Sequence, residues 1–137
     1  MLNQIETTSQ TKGRGIYHIT SEVNAIVKKS GIEVGLCHIF LLHTSASLIL
    51  CENDDPQVHI DLEAFMHRLV PDGDALYQHI AEGPDDMPAH VRAVLTTNFL
   101  HVPIKQSQLL LGRWQGLYLW EHRIRAYERR LVITLTA

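Results

Sequence analysis

Two histidines, His79 and His90, flank the helix-breaking pair Gly83-Pro84 in the stretch YQHIAEGPDDMPAHV. In one straight helix the two imidazoles would share a face but stand about 16 Å apart along the axis, too far to bind one ion. Because glycine and proline end a helix, the chain can fold back at this pair and let the imidazoles approach each other. The pair therefore suggests a metal site. The spacing matches no zinc signature, however, and two exposed histidines are the alternative.

A third histidine, His43, follows a long apolar run and precedes the hydroxyl residues Thr44 and Ser45 in LLHTSASL. Hydroxyl side chains at a strand end either bind an anion or form a turn, and both interpretations stay open here. His43 is thus a candidate for chemistry at the end of a buried strand.

Acidic residues gather in CENDDPQVHIDLEAF, where a predicted strand gives way to a predicted helix. Asp54 and Asp55 fit helix capping, because a carboxylate at a helix N-terminus accepts hydrogen bonds from free backbone N–H groups. Asp61 lies inside the helix, where a carboxylate orients a histidine or acts as a general base, with a solvated surface acid as the alternative. Glu52 and Asn53 stand at the same junction.

The C-terminal stretch GRWQGLYLWEHRIRAYERR mixes arginines with large aromatic residues. Such a mixture suggests stacking and phosphate binding, and Arg129 and Arg130 are the candidates because guanidinium groups match phosphate geometry. Trp114, Tyr118 and Trp120 share one strand parity, however, which favours packing in a core or an interface.

The elements around the three histidines follow from the hydrophobic periodicity. LNQIETTS and GRGIYHIT predict two strands, and TSEVNAIVKKSG predicts a helix that Gly31 ends. IEVGLCHIFLLH is apolar on both parities, which indicates a central strand covered on two sides. SASLILCEN continues as the next strand.

Two more helices and a strand-rich end complete the prediction. QVHIDLEAFMHRLV, after Pro56, has helical apolar spacing, and Pro88 begins a third helix with Asp85 or Asp86 near its N-terminus. LHVPI, QLLLG, WQGLYLWEH and RRLVITLTA predict strands. Because helices and strands do not alternate regularly, the sequence favours a single α+β domain over a doubly wound parallel sheet.

Composition excludes several classes of protein. The 137 residues are 45% hydrophobic and 20% charged, which is typical of a globular domain and argues against disorder. A net charge of -3 argues against nucleic-acid binding. The apolar runs are too short for a signal peptide or a membrane span, so we expect a cytoplasmic protein. Cys37 and Cys51 lie in apolar runs and are predicted to be buried thiols.

Three segments in order, HTSASLILCENDDPQVHIDLEAF, YQHIAEGPDDMPAHV and LGRWQGLYLWEHRIRAYERRLVITL, resemble the YjbQ-like family, an uncharacterised protein family. The resemblance covers nearly the whole chain. It implies one α+β domain over residues 1–137 with a mixed sheet and about three helices, and a homotrimer with a histidine-rich pocket near the subunit boundaries. It also implies a weak, secondary thiamine-phosphate synthase activity, which joins a hydroxymethylpyrimidine pyrophosphate to a thiazole phosphate. Arg113 stands where the family usually has threonine, and LTTNF lacks a glycine typical of the family.

The positions that match the family's motifs indicate which residues of this sequence would form its site. The resemblance assigns His43, His79 and His90 to a metal cluster. Three imidazoles suit a zinc-like ion better than magnesium and leave a coordination position open for water or substrate. Glu52 and Asp61 are then expected to orient the histidines or to transfer protons.

The same matching, together with the arginine cluster, gives the candidates for binding a phosphate-bearing small molecule: Thr44, Ser45, Asn53, Arg129 and Arg130. The alternative to an enzyme is a non-catalytic trimeric metal-binding protein with a structural or regulatory role.

Overall fold

Two antiparallel sheets and three helices make up the fold in the computed structural model, which describes residues 2–137. The strands are β1 (Leu2–Gln10), β2 (Gly15–His18), β3 (Val34–Leu41), β4 (Ala46–Glu52), β5 (Phe99–Lys105), β6 (Gln108–Leu109), β7 (Gln115–Glu121) and β8 (Glu128–Thr136). The helices are α1 (Thr20–Ser30), α2 (Pro56–Leu69) and α3 (Asp86–Leu95). The larger sheet has the order β1-β8-β3-β5-β6 and the smaller sheet the order β2-β7-β4.

The α+β class is confirmed, but the expected mixed sheet is wrong, because every strand pairing among the described residues is antiparallel. Parallel neighbours need a crossover connection, usually a helix, that returns to the same sheet. Here α1 leads from the smaller sheet to the larger one, and α2 and α3 together do the same. The helices therefore join the two sheets and create no parallel pair.

The core lies between the two sheets and against α1. Side chains alternate along β5 and β8, so that Val102 and Ile133 point inward while their neighbours point out. Leu48 and Leu119 of the smaller sheet and Val27 of α1 face them and are fully buried. Burial of this set supplies the main stabilisation of the fold.

Strand β3 has one buried face and one partly exposed face, so the prediction of a strand covered on both sides is wrong. Ile39 is fully buried, whereas Leu36 is 43% exposed and Phe40 37% exposed. Cys37 is buried as expected, and burial raises its pKa to about 12, but Cys51 is only half-buried. The outer face of β3 thus carries apolar side chains that nothing in the described chain covers.

The structure confirms the predicted cap of α2 and the burial of two of the three aromatic residues, but it differs at the start of α3 and at Trp114. Asp55 caps α2, since its Oδ1 accepts a hydrogen bond of 2.9 Å from the backbone N–H of Gln57. Helix α3 begins at Asp86, before Pro88. Tyr118 and Trp120 are buried in β7, whereas Trp114 precedes the strand and is half exposed. The described residues contain no helix long and apolar enough to cross a membrane.

Candidate functional site

The chain between α2 and α3 folds back and brings two histidine rings together. Residues 70–85 form turns and irregular segments, and Gly83 adopts a φ of 104°, which residues with a side chain rarely take. The ring centroids of His79 and His90 lie 5.5 Å apart. The close approach that the Gly83-Pro84 break predicted is therefore present.

Asp86 lies between these two imidazoles and completes the group. Its Oδ2 is 2.8 Å from Nε2 of His79 and 3.3 Å from Nε2 of His90. One ligand atom from each of the three residues lies within 4.8 Å of the others. The Asp86 side chain is only 3% exposed, so a carboxylate and two imidazoles meet at the edge of the protein interior.

Helix geometry explains half of this arrangement. Asp86 and His90 are four residues apart on α3, and side chains at that spacing share a helix face. His79 reaches the same face from the preceding turns. The sequence pattern predicts Asp86 only as an acid near the N-terminus of the helix and does not predict its position between the histidines. The signal was the four-residue spacing.

Arg123 sets the orientation of the Asp86 carboxylate. Its Nη1 donates to Asp86 Oδ1 at 2.8 Å, its Nε donates to Asp85 Oδ2 at 2.9 Å, and its Nη2 donates to the backbone oxygen of Glu82 at 3.0 Å. Burial raises the pKa of Asp86, but the hydrogen bond with His79 and the charge of Arg123 outweigh it, so the net shift is downward. Asp86 is therefore a carboxylate with Oδ2 left for the imidazoles.

The structure does not bring His43 into this group. His43 follows β3, and its Nε2 accepts a hydrogen bond of 2.8 Å from the backbone N–H of Arg130 in β8. Burial lowers its pKa, and so does the charge of Arg129, against an opposing effect of Glu121. His43 is thus turned toward β8. The third residue that the structure places with His79 and His90 is Asp86.

A cavity of about 490 Å³ lies between His43 and His90, the one member of the histidine pair that lines it. His43 and His90 both line it, and Thr44, Thr96, Thr97 and Asn98 supply further polar groups. None of the residues that line it is acidic. The cavity is large enough for a small organic molecule and carries no carboxylate that would repel an anion.

Ser45 and Arg129 are buried and form polar contacts inside the protein. Arg129 forms a buried ion pair with Glu121, and its Nη2 also donates to Ser45 Oγ at 3.0 Å. Thr11 adds a hydrogen bond of 2.7 Å to the same Glu121 carboxylate. These contacts hold the loop after β3 against β7 and β8, so neither Ser45 nor Arg129 faces the cavity as a free ligand-binding group.

Arg130 lies on the surface. Its side chain is 55% exposed and forms an ion pair with Glu6 of the neighbouring strand β1. Its backbone N–H, by contrast, holds His43. The contact of Arg130 with the candidate site therefore comes from its main chain.

Of the two predicted acidic residues, Glu52 lies at the far end of β4 and Asp61 lies in α2. Six strand steps of about 3.3 Å separate Ala46 from Glu52, or about 20 Å. Glu52 accepts a hydrogen bond of 2.8 Å from the backbone N–H of Asp54. Asp61 is exposed and accepts one of 2.7 Å from the Gln57 side chain.

Asn53 braces the turn before β7, because its side-chain amide donates to the backbone oxygens of Arg113 and Gln115. The structure thus does not bring Glu52, Asn53 and Asp61 to the histidine pair.

A buried polar chain beside the cavity also escaped the sequence interpretation. Ser47 Oγ lies 2.5 Å from Thr96 Oγ1 and 2.5 Å from His122 Nε2, and Thr96 donates to the backbone oxygen of Arg92 at 2.7 Å. Ser47 and His122 are fully buried. The local sequence does not predict this series of hydrogen bonds, because Ser47 lies in β4, Thr96 follows α3 and His122 follows β7.

Known proteins resemble this chain along almost its whole length. The family model described as "UPF0047 protein YjbQ-like" matches residues 4–137. The UPF0047 protein sll1880 of Synechocystis sp. is 47% identical over 123 residues, which covers 90% of this chain and 84% of that protein. The UPF0047 protein YjbQ of Salmonella typhimurium is 45% identical over 138 residues and covers 98% of each chain.

Solved structures agree with these matches. A protein of the yjbq/upf0047 family from Clostridium acetobutylicum superposes with a TM-score of 0.87 at 30% identity, covering 96% of this chain and 99% of that one. The hypothetical protein APE1520 from Aeropyrum pernix superposes with a TM-score of 0.88 at 21% identity, covering 98% of each chain, and supports the fold alone. By its sequence and its fold, this chain belongs to the YjbQ-like UPF0047 family.

Proposed function

We propose that this YjbQ-family protein binds a divalent, zinc-like metal ion between His79, Asp86 and His90. The observation that carries the proposal is the convergence of two imidazole nitrogens and one buried carboxylate oxygen within 4.8 Å. Two histidines and one carboxylate are a donor set that zinc commonly uses in catalytic sites, with a further position open to water or substrate. Magnesium prefers oxygen ligands and suits this set poorly.

The surroundings of the three ligands support the fit. Arg123 binds Oδ1 of Asp86 and leaves Oδ2 directed at both imidazoles. Such a partner behind a ligating carboxylate orients it and is common around metal sites. Because the Asp86–His79 contact is a hydrogen bond of 2.8 Å, metal binding must displace a shared proton.

The proposal extends to metal-dependent chemistry on a phosphate-bearing small molecule, with thiamine-phosphate synthase as a secondary activity. Its support is the cavity of about 490 Å³ beside His90, whose mixed lining includes two histidines, three threonines and Asn98 and no acidic residue. A divalent ion held by these residues would supply the positive charge that stabilises a departing pyrophosphate. Within the chain, His43, Thr44 and Asn98 line the space where such a ligand would bind.

The alternative function is a non-catalytic homotrimer in which the metal is structural or regulatory. The observation that favours assembly is the outer face of the larger sheet, where Leu36, Phe40 and Phe99 are partly exposed beside His38 and His101. Contiguous exposed apolar residues often mark an interface between protein chains. A cytoplasmic location is part of either proposal, and both cysteines are free thiols, as is usual in a reducing compartment.

Metal analysis of purified protein tests the metal site. We expect the parent to retain one zinc-like ion per chain after dialysis, and His79→Ala, Asp86→Asn and His90→Ala to lose it while remaining folded. His67→Ala is the matched control, because His67 is an exposed histidine of α2. Equal metal content in the parent and all three site variants would refute the site.

A turnover assay then separates the two functions. Metal-loaded protein is mixed with the hydroxymethylpyrimidine pyrophosphate and the thiazole phosphate, and pyrophosphate release is measured. Release that disappears in His90→Ala supports the enzyme. Stable metal binding without any release favours the non-catalytic alternative.

A further inference from the structure

The backbone of β8 determines how His43 can act. The hydrogen bonds between β3 and β8 continue beyond β3, because the backbone N–H of Leu42 donates to the backbone oxygen of Arg130 at 3.1 Å. The N–H of the same Arg130 then donates to Nε2 of His43 at 2.8 Å. The imidazole therefore occupies a place where a strand carbonyl would accept a hydrogen bond, and both contacts hold the ring against β8.

This contact determines which ring nitrogen carries the proton. A backbone N–H only donates, so Nε2 of His43 must accept with its lone pair. In the neutral ring the proton is then on Nδ1. Protonation of Nε2 would place two donors face to face, and the nearby charges of Arg129 and Arg130 also disfavour a cationic ring. Neither nitrogen has a free lone pair left for a metal ion.

The remaining ring nitrogen is available to a ligand. Among residues 2–137, Nδ1 of His43 has no hydrogen-bond partner, and His43 lines the cavity of about 490 Å³ together with His90. The neighbouring lining residues Thr44 and Asn98 can also donate hydrogen bonds, and no lining residue is acidic. A donor in this position matches an oxygen that carries negative charge.

We propose that His43 is a neutral hydrogen-bond donor, through Nδ1–H, to an anionic oxygen of the ligand beside the metal, and is not itself a metal ligand. The inference rests on the proposed function for the nature of the ligand, a phosphate or similar oxyanion. It does not rest on it for the position of the proton, which follows from the contact with Arg130.

The position of the proton is tested directly by NMR of the intact protein with ¹⁵N-labelled histidine. The long-range ¹H–¹⁵N spectrum distinguishes a protonated ring nitrogen from one that only accepts, and His43→Asn identifies the His43 signals by their loss. We expect a protonated Nδ1 and an unprotonated Nε2. The opposite tautomer would overturn the proposal whether or not the protein binds metal.

Three substitutions at His43 test the ligand contact. Asparagine places an amide near the position of Nδ1, glutamine reaches the position of Nε2, and alanine has neither group. Inorganic phosphate is titrated calorimetrically into each folded variant with one bound zinc ion per chain and no free zinc. We expect His43→Ala and His43→Gln to lose at least about tenfold in phosphate affinity, the loss of one hydrogen bond to a charged group. His43→Asn should retain most of it.

Zinc content, measured on the same samples, distinguishes the donor from a metal ligand. We expect all three His43 variants and the control His67→Asn to hold zinc like the parent, whereas His79→Ala does not. Loss of zinc in the His43 variants, or an unchanged phosphate affinity in His43→Ala, would overturn the proposal. If the parent itself binds no zinc, the metal proposal fails. The NMR spectrum and the same titration on metal-free protein then decide the role of His43.

Discussion

Arg123 and Asp86 are joined by a hydrogen bond of 2.8 Å between Nη1 and Oδ1, which leaves only the other oxygen of the carboxylate facing His79 and His90. This relationship links the strand-rich C-terminal half of the chain to the histidine group. The orientation of Asp86, a candidate metal ligand, therefore depends on Arg123, which forms no hydrogen bond with either imidazole.

Arg123→Met should therefore weaken both the site and the fold. Removal of the guanidinium leaves two buried carboxylates, Asp85 and Asp86, without their partner, and breaking a buried ion pair typically costs about 3 to 5 kcal/mol. Loss of a group that orients a metal ligand typically weakens zinc binding by about 10- to 100-fold. Urea unfolding and zinc competition with a chelator measure the two effects.

Arg125→Met is the control for this prediction, because Arg125 is exposed and its side chain contacts Tyr127. We expect nearly unchanged stability and zinc affinity. A similar loss in both variants would mean that the effect is one of general surface charge.

Stability should fall in acid because of His122. Burial, and after it the charges of Arg92, Arg14 and Arg129, lowers the pKa of His122 to about 3 from an ordinary value of 6.5. Between these values the unfolded chain binds a proton at this position and the folded chain does not, so acid favours unfolding. The contribution of His122 is complete above pH 6.5 and declines by about 1.4 kcal/mol per pH unit toward pH 3.

Urea unfolding of the parent and of His122→Gln between pH 4 and pH 7 checks this dependence. Glutamine does not titrate. The unfolding free energy of His122→Gln should therefore change less with pH than that of the parent, by most of the roughly 1.4 kcal/mol per pH unit that His122 contributes. Parallel slopes for the two proteins would show that His122 does not remain neutral in the folded state.

The two neighbouring arginines of β8 should respond differently to truncation. Arg129→Ala leaves the buried carboxylate of Glu121 unpaired, and we expect a loss of about 3 to 5 kcal/mol in unfolding free energy. Arg130→Ala breaks only an exposed pair with Glu6, which is worth about 0 to 1 kcal/mol. Thermal and urea unfolding compare the two variants.

Phosphate titration of the same variants tests the earlier assignment of these arginines to ligand binding. We expect Arg130→Ala to bind phosphate like the parent, because its backbone N–H still holds His43. A large loss of affinity in Arg130→Ala with normal stability would restore its side chain to the site.

The outer face of the larger sheet should mediate assembly. Phe99 is 47% exposed and lies beside His38, with ring centroids 5.5 Å apart. A charge at this position would be buried in any interface between copies, so Phe99→Glu should convert a homotrimer into monomers. Sedimentation at micromolar concentration measures the change, with Leu76→Glu as the control because Leu76 is 86% exposed outside the sheet. A monomeric parent would contradict the trimer.

The meeting of His79 and His90 was predictable because Gly83 and Pro84 act locally, over a few residues. Asp86 was within reach of the same reasoning, since its four-residue spacing from His90 is a helical signal. Arg123 was not, because it is 37 positions away along the chain and joins the site only through the fold.

The misplaced acidic residues have a geometric explanation. The family resemblance assigned Glu52 to the surroundings of the histidines, but the seven-residue strand β4 runs from Ala46 to Glu52 and places Glu52 at the end of the sheet opposite to His43. The antiparallel order and the exposed outer face of β3 were equally hidden, because hydrophobic periodicity reports how apolar each face is and not which strand or chain covers it.

An ion bound near Gly83 would also cross-link two parts of the chain. Asp86 and His90 belong to one helix, but His79 belongs to the turns before it, so an ion held by all three closes a loop of the chain. Closing a loop removes conformations from the unfolded chain, and binding to the folded state alone adds stability that grows with the logarithm of the free ion concentration. The melting temperature of this domain should then report the zinc concentration of its surroundings, and a chelator should loosen residues 70–85 before it unfolds the sheets.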